Sequence, residues 1–333
     1  MSDGNLPRKA ATADDMTLAH YNGEKPPAPD WFNWAISQEA RASTVDVDGA
    51  SIAYRSWGDP AKPGLLLAHG NGAHGRWWDF IAPFLAADYH VVAPTFSGMG
   101  ESDWRDAYTF PGFSREQHAV CEDAGLFAHA TKPILVSHSF GGIISLFTTI
   151  AEGGDKFGGA VIVDSHIEPP GDERPRPPRR ARANRIYPDF NSALERFRLA
   201  PPQPCDNHYI VDYIARHSIR EMPGEDGEQG YSWKFDPFIF NSLMSEWNDI
   251  DLTSLDTRCP IVFMRGGLSD LVPDRVADYM CSLQDPPVPM ITVPEAYHHV
   301  MLDQPLAFVS AIRGLLAGQS KPDLAFATAL NPP

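Results

Sequence analysis

The segment PILVSHSFGG, residues 133–142, constrains the architecture of this chain more than any other. Ile134, Leu135 and Val136 make a short apolar run suited to a buried strand, and Gly141-Gly142 opens the apolar pattern IISLFTTI of a helix. The turn between them holds two serines, Ser137 and Ser139, and the question is which of them has chemistry to do.

Similar strand-then-helix units lie on both sides. GLLLAHG (Gly64 to Gly70) leads to an amphipathic stretch from Arg76 to Leu85. HVVAPTF (His90 to Phe96) leads to Ser114–Ala130, and GAVIVDS (Gly159 to Ser165) follows the central helix. Strands that are apolar throughout and alternate with helices predict a mostly parallel, doubly wound α/β sheet covered on both faces. Upstream, STVDVDGASIAYRSWG alternates apolar and polar residues around Asp48-Gly49, as a two-residue hairpin does. The alternation stops after Ser165. It resumes with the strand CPIVFMRGG (Cys259 to Gly267), a helix over Val272–Leu283, the strand PMITV (Pro289 to Val293) and a helix from Leu302 to Leu316.

The gap of roughly 90 residues far exceeds the usual ~2–6 of an α/β connection, so it predicts a folded insertion. The expected organisation is a leader over 1–30, a core over 31–166 and 248–320, a mainly helical cap over 167–247, and a tail over 321–333. The cap opens on the basic, proline-broken PPGDERPRPPRRARANR, read as a solvated entry loop. It is rich in aromatic residues, among them Tyr187, Phe190, Phe197, Tyr209, Tyr213, Tyr231, Trp233, Phe235, Phe238, Phe240 and Trp247.

A formal net charge of −16 repels a phosphate backbone, and no motif for reading nucleic acid is present, so neither nucleic acid nor anionic membrane is expected as a partner. No window approaches the ~18 unbroken apolar residues of a membrane span, and the N-terminus lacks an apolar core with a cleavage site. A cytoplasmic location is the expectation. Cys121, Cys205, Cys259 and Cys281 are far apart with no C-x-x-C pair, which suggests buried free thiols rather than a zinc site or disulfides.

Ser137-His138-Ser139-Phe140-Gly141 has the spacing of a nucleophile elbow, G-x-S-x-G, with a small serine in place of the first glycine. Ser139 is then the nucleophile candidate and Ser137 belongs to the strand end. At the end of an earlier strand stands HGNG (His69 to Gly72). The backbone N–H of Asn71, with Gly72 one position later as the alternative, could join the Phe140 N–H as an oxyanion donor pair. His69 reads as a structural hydrogen-bonding group. A serine needs a histidine base held by a carboxylate. Downstream, RGGLSDLVPD offers Asp270, and PEAYHHVMLDQP offers His298 and His299. In an open parallel sheet, loops at the carboxyl ends of strands share one crevice, which would bring these groups together.

HGNG, SHSFGG, GGLSD and YHHVMLDQP together resemble the oxyanion, nucleophile, acid and base motifs of a capped α/β-hydrolase, over about Val45 to Leu316. The resemblance implies a triad of Ser139, Asp270 and His298, with His299 as a neighbour. Asp164 is the alternative acid, because some relatives draw it from the earlier strand end; Asp274 could instead cap the next helix. In APTFSGMGES, Thr95 stands where the family usually has an acidic residue of structural importance.

A serine at the elbow argues against epoxide- and halide-displacing relatives, which use aspartate there. The expected function is hydrolysis of a carboxylic ester through an acyl-enzyme, with no cofactor and no metal. The aromatic cap favours a bulky or aromatic apolar small-molecule substrate. A lactonase, a carbon–carbon hydrolase of ring-fission diketones, and a non-catalytic binding protein are the alternatives. Oligomeric state is not legible.

Overall fold

The computed structural model describes residues 18–171, 180, 182–224, 227–246, 252 and 254–317. Helix α1 (Asp30–Ser37) precedes a hairpin of β1 (Arg41–Val47) and β2 (Ala50–Trp57). Val47 pairs with Ala50, and Asp48 and Gly49 both have positive φ, 52° and 78°, as a two-residue type I′ turn requires. There follow β3 (Gly64–Ala68), α2 (Ala82–Leu85), β4 (His90–Pro94), α3 (Phe110–Asp123), β5 (Ile134–His138), α4 (Phe140–Ile150) and β6 (Gly159–Val163). The inserted segment carries α5 (Phe190–Leu194), α6 (His208–His217), the antiparallel pair β7 (Ile219–Pro223) and β8 (Gln229–Trp233), and α7 (Ile239–Glu246). The chain then adds β9 (Ile261–Gly266), α8 (Asp274–Cys281), β10 (Met290–Val293), α9 (Val300–Asp303) and α10 (Pro305–Ala317).

Among the described residues the main sheet has eight strands in the order β1-β2-β4-β3-β5-β6-β9-β10, parallel from β4 to β10. Every residue of β3, β4, β5 and β6 is buried, which is why these strands read as unbroken apolar runs with no alternation. The stretch expected to be helical from Arg76 to Leu85 is instead a 3₁₀ turn, Gly75–Trp78, followed by the four-residue α2, which begins beside Pro83. Helix α3 starts at Phe110 rather than Ser114 because the Thr109 hydroxyl accepts the Gly112 N–H at its N-cap. Thr95 uses its hydroxyl structurally, accepting the Gly75 N–H at 3.0 Å.

The described part of the leader is docked. Leu18 is buried, the Tyr21 hydroxyl lies 2.9 Å from His208 Nδ1, and Arg216 donates to the Gly23 carbonyl. Residues 1–17, the expected tail over 321–333 and Trp247 at the expected cap boundary lie outside the described residues. All four cysteines are free, and burial pushes the Cys205 and Cys259 thiols up to about 12. No helix among the described residues is long and apolar enough to cross a membrane.

Candidate active site

The site forms at the carboxyl ends of β3, β5 and β6 and in the loop after β10. Ser139 follows β5 directly and has φ 54° and ψ −121°, a backbone region costly for a residue with a Cβ. Its N–H is held by the Val163 carbonyl, and the Ser165 hydroxyl donates to its carbonyl at 2.8 Å. The sharpness of the turn explains the glycines that follow. A Cβ on Gly141 would stand 2.4 Å from the His69 carbonyl oxygen, and one on Gly142 would collide with Ser165. Ser137 is fully buried in the strand end, its hydroxyl 2.7 Å from that of Ser145. Ser139 is the partly exposed serine of the two.

The Ser139 Oγ–H donates to His298 Nε2 at 2.9 Å, and His298 Nδ1–H donates to Asp164 Oδ1 at 2.8 Å. The sequence motifs point to Asp270 as the acid, and here the structure corrects that expectation: the carboxylate on His298 is Asp164, immediately after β6, whereas Asp270 is exposed. The loop after β9 turns Ser269 inward instead. Ser269 Oγ–H donates to Asp164 Oδ1 at 2.6 Å, and the Gly266 N–H donates to Asp164 Oδ2 at 2.8 Å. The segment expected to supply the acid thus supplies the donors that orient it. The signal for Asp164 was its place at a strand's carboxyl end; nothing in the sequence marked Ser269 or Gly266.

Of the histidine pair, His298 faces Ser139. His299 is buried against His298, His138 and Trp77, with ring centroids 4.8, 5.3 and 5.5 Å away. Burial holds His299 and His138 well below the ordinary imidazole pKa, so both are neutral. His69 is structural: its Nε2 accepts the Phe96 N–H, its Nδ1–H donates to the Gly70 carbonyl, and burial lowers its pKa to about 4. The base loop is gripped from the cap. Gln203 accepts the His299 N–H at 2.9 Å and donates to Asp303, which accepts the Tyr297 N–H at 2.7 Å.

The HGNG turn lies against the nucleophile: a Cβ on Gly70 would be 3.2 Å from Ser139 Cβ. Phe140 is the first residue of α4, so its N–H has no acceptor within the helix. Asn71 is exposed, while Gly72 has φ 67° and faces the Phe235 ring.

His138, His298 and His299 are the one group of potential metal ligands among the described residues, with ligand atoms within 4.8 Å of one another. His138 Nε2–H donates to the His298 carbonyl, leaving its buried Nδ1 and both His299 nitrogens without partners. Both His298 nitrogens are engaged. A cation using all three rings would have to take His298 from Ser139 or from Asp164, so the set fits poorly with a resident metal.

A family model described as the alpha/beta hydrolase family matches residues 65–311. Esterase Rv0045c of Mycobacterium tuberculosis is 26% identical over 283 residues, 81% of this chain and 88% of that protein. A 3-hydroxybutyrate-oligomer hydrolase of Cupriavidus necator is 48% identical over only 54 residues, so the chain spans 18% of that protein's length. Among solved structures, E-2-(acetamidomethylene)succinate hydrolase superposes with a TM-score of 0.66 at 19% identity, covering 84% of this chain and 100% of that one. The M. tuberculosis esterase structure gives 0.58 at 18% identity, covering 93% and 100%.

Proposed function

This chain belongs to the alpha/beta hydrolase family, and on that premise we propose that it is a serine esterase acting in the cytoplasm through Ser139, His298 and Asp164. The observation that carries the proposal is the unbroken hydrogen-bonded line from the Ser139 hydroxyl through His298 to Asp164, at 2.9 and 2.8 Å, on an elbow of positive φ.

In this reading Ser139 Oγ attacks the ester carbonyl carbon while its proton passes to His298 Nε2. The Asp164 carboxylate fixes the tautomer that leaves Nε2 free to accept, and stabilises the imidazolium. Negative charge gathers on the former carbonyl oxygen, where the Phe140 N–H and a second amide, from Asn71 or Gly72, receive it. The imidazolium then protonates the leaving alkoxide. Water attacks the acyl-serine, gives its proton to His298 and releases the acid as Ser139 recovers its hydrogen. No step calls for a metal, so activity is expected to survive a chelator.

The substrate is proposed to be apolar next to its carbonyl. Phe140 lies 5.6 Å from Phe240 of α7 between ring centroids, and Phe235 stands over the oxyanion turn. Most other cap aromatics, including Tyr187, Phe197, Tyr213 and Trp233, pack within the cap and against the core, which narrows the aromatic wall to these few rings. A fluorophosphonate probe tests the nucleophile. Labelling is expected in the native chain and absent in Ser139→Ala, with kcat on an aryl ester falling by about 10⁴ or more. Labelling that persists in the variant would refute the assignment.

A further inference from the structure

Six of the chain's 27 lysines and arginines fall between Arg174 and Arg185, in a protein whose net charge is −16. Three of them, Arg180, Arg182 and Arg185, line one open cleft of about 510 Å³ together with Asn184, Trp233 and Phe235. Among the described residues no acidic side chain lines it. Several basic residues elsewhere on the molecule are paired, as in Arg55 with Asp79, Arg105 with Glu116 and Arg115 with Asp48. None of these three guanidinium groups has a carboxylate partner among the described residues. Uncompensated positive charge gathered around a concavity is the electrostatic form of an anion site.

The backbone beneath the arginines is fixed. Arg180 N–H donates to Asn241 Oδ1 at 2.9 Å and its carbonyl accepts from Asn241 Nδ2 at 2.8 Å. Asn184 Nδ2 donates to the Phe235 carbonyl at 2.6 Å, and the Ser232 hydroxyl donates to the Arg185 carbonyl at 2.9 Å. The Arg185 guanidinium also sits over the Tyr187 ring, 5.3 Å from its centroid. These contacts present the charges on a frame held by α7 and β8, which limits the ordering cost of binding.

Phe235 connects the cleft to the reaction centre. Its ring lines the cleft and also lies 3.9 Å from where a Cβ on Gly72 would stand, against the turn proposed to hold the oxyanion. We propose that Arg180, Arg182 and Arg185 form a subsite for a carboxylate or phosphate carried by the substrate, at the far end of the apolar group whose carbonyl meets Ser139. The inference rests on the esterase reading and narrows it to anionic esters. Arginine suits the task because its planar fork can meet two oxygens of either group at once.

The test compares three 4-nitrophenyl esters of similar length: octanoate, hydrogen octanedioate and 8-phosphonooctanoate. In the native chain kcat/KM for at least one anionic ester is expected to exceed that for octanoate by about tenfold, mainly through KM. The ratio should fall toward one in Arg180→Gln/Arg182→Gln/Arg185→Gln and in 0.5 M NaCl, which screens exposed charge. Whichever anionic ester shows the larger ratio identifies the preferred group. The ratio should be unchanged in Arg115→Gln, a remote exposed arginine. A ratio near one for both anionic esters, or one that survives the triple substitution or the salt, overturns the subsite. Turnover of octanoate and fluorophosphonate labelling at Ser139 in the same preparations report separately on the esterase reading, so the two failures are distinguishable.

Discussion

Asp164 has φ 46° and its N–H bonded to the Met264 carbonyl, so the residue leaves β6 at an angle that sends its carboxylate to His298 rather than along the strand. Three donors converge on it, from His298, Ser269 and Gly266. Asp270, one residue beyond Ser269, has no part in this cluster and faces solvent. The two aspartates are therefore expected to separate cleanly under the same substitution. Asp164→Asn keeps the shape but loses the charge that stabilises the imidazolium, and should lower kcat on an aryl ester by about 10³–10⁴. Asp270→Asn should leave kcat within about twofold. Steady-state kinetics of the two variants beside Ser139→Ala decides it, and the reverse ranking would restore Asp270 as the acid. The elbow was readable because its steric demand is written as small residues at fixed spacing. The acid was less so, since two loops at the same sheet edge each offer an aspartate and only side-chain direction separates them.

At the scale of elements, the loop from Tyr297 to α9 owes its position to the cap. Gln203 bridges the His299 N–H and Asp303, while Asn207 donates to the carbonyls of Leu302 and Asp303. Gln203→Ala removes that bridge without touching Ser139, and kcat is expected to fall about 10- to 100-fold with a smaller change in KM. Stopped-flow or steady-state assay reads the split; an unchanged kcat means that the loop holds its place without the cap. Burial, opposed by bonds from Tyr297 and Gln203, raises the Asp303 pKa from the ordinary 3.8 to about 6. Between those values the folded chain holds a proton that the unfolded chain has lost. The contribution to stability is therefore present at the acid end and is lost as pH rises through about 6. Asp303→Asn should flatten this slope, by a difference on the order of 1 kcal/mol across the window after allowance for solvent screening, seen in melting temperatures from pH 4 to 7. Identical slopes in both proteins would remove Asp303 from the account. Strands β3 to β6 were legible because burial on both faces demands continuous apolar runs. The hairpin of β7 and β8 was not, since IREMP and QGYSW carry polar and apolar residues in no clean alternation. The pairing comes instead from contacts with α5 and α6 and from the Tyr187–Tyr231 bridge.

Across the whole molecule, the cap shares its interior with the core. Leu194, Phe197, Ile210 and Ile214 of the insertion belong to one buried cluster with Trp77, Trp78, Phe80 and Ile81 beside the sheet, and with Leu18 and Phe32 ahead of it. Polar ties cross the same boundary. The Tyr213 hydroxyl donates to Asp79 at 2.6 Å, Lys234 pairs with Glu101 at 3.0 Å, Tyr108 donates to Asp236 at 2.7 Å, and the Asp236 N–H donates to the Gly98 carbonyl at 2.7 Å. A cap that must expose this common interior in order to leave cannot unfold alone at low cost, because roughly 25 cal/mol is lost for each Å² of apolar surface bared. The cap and the core are therefore expected to unfold as one cooperative unit. Far-UV circular dichroism, tryptophan fluorescence and the exchange of α6 and β5 amides should report a single denaturant midpoint. Tyr213→Phe, which strips Asp79 of one donor while Arg55 remains, should lower the unfolding free energy by about 1–2 kcal/mol, shifting that midpoint down without splitting it. If α6 instead lost protection well before β5, the cap would be a separately stable lid, and the grip of Gln203 on the His298 loop would be intermittent rather than built in.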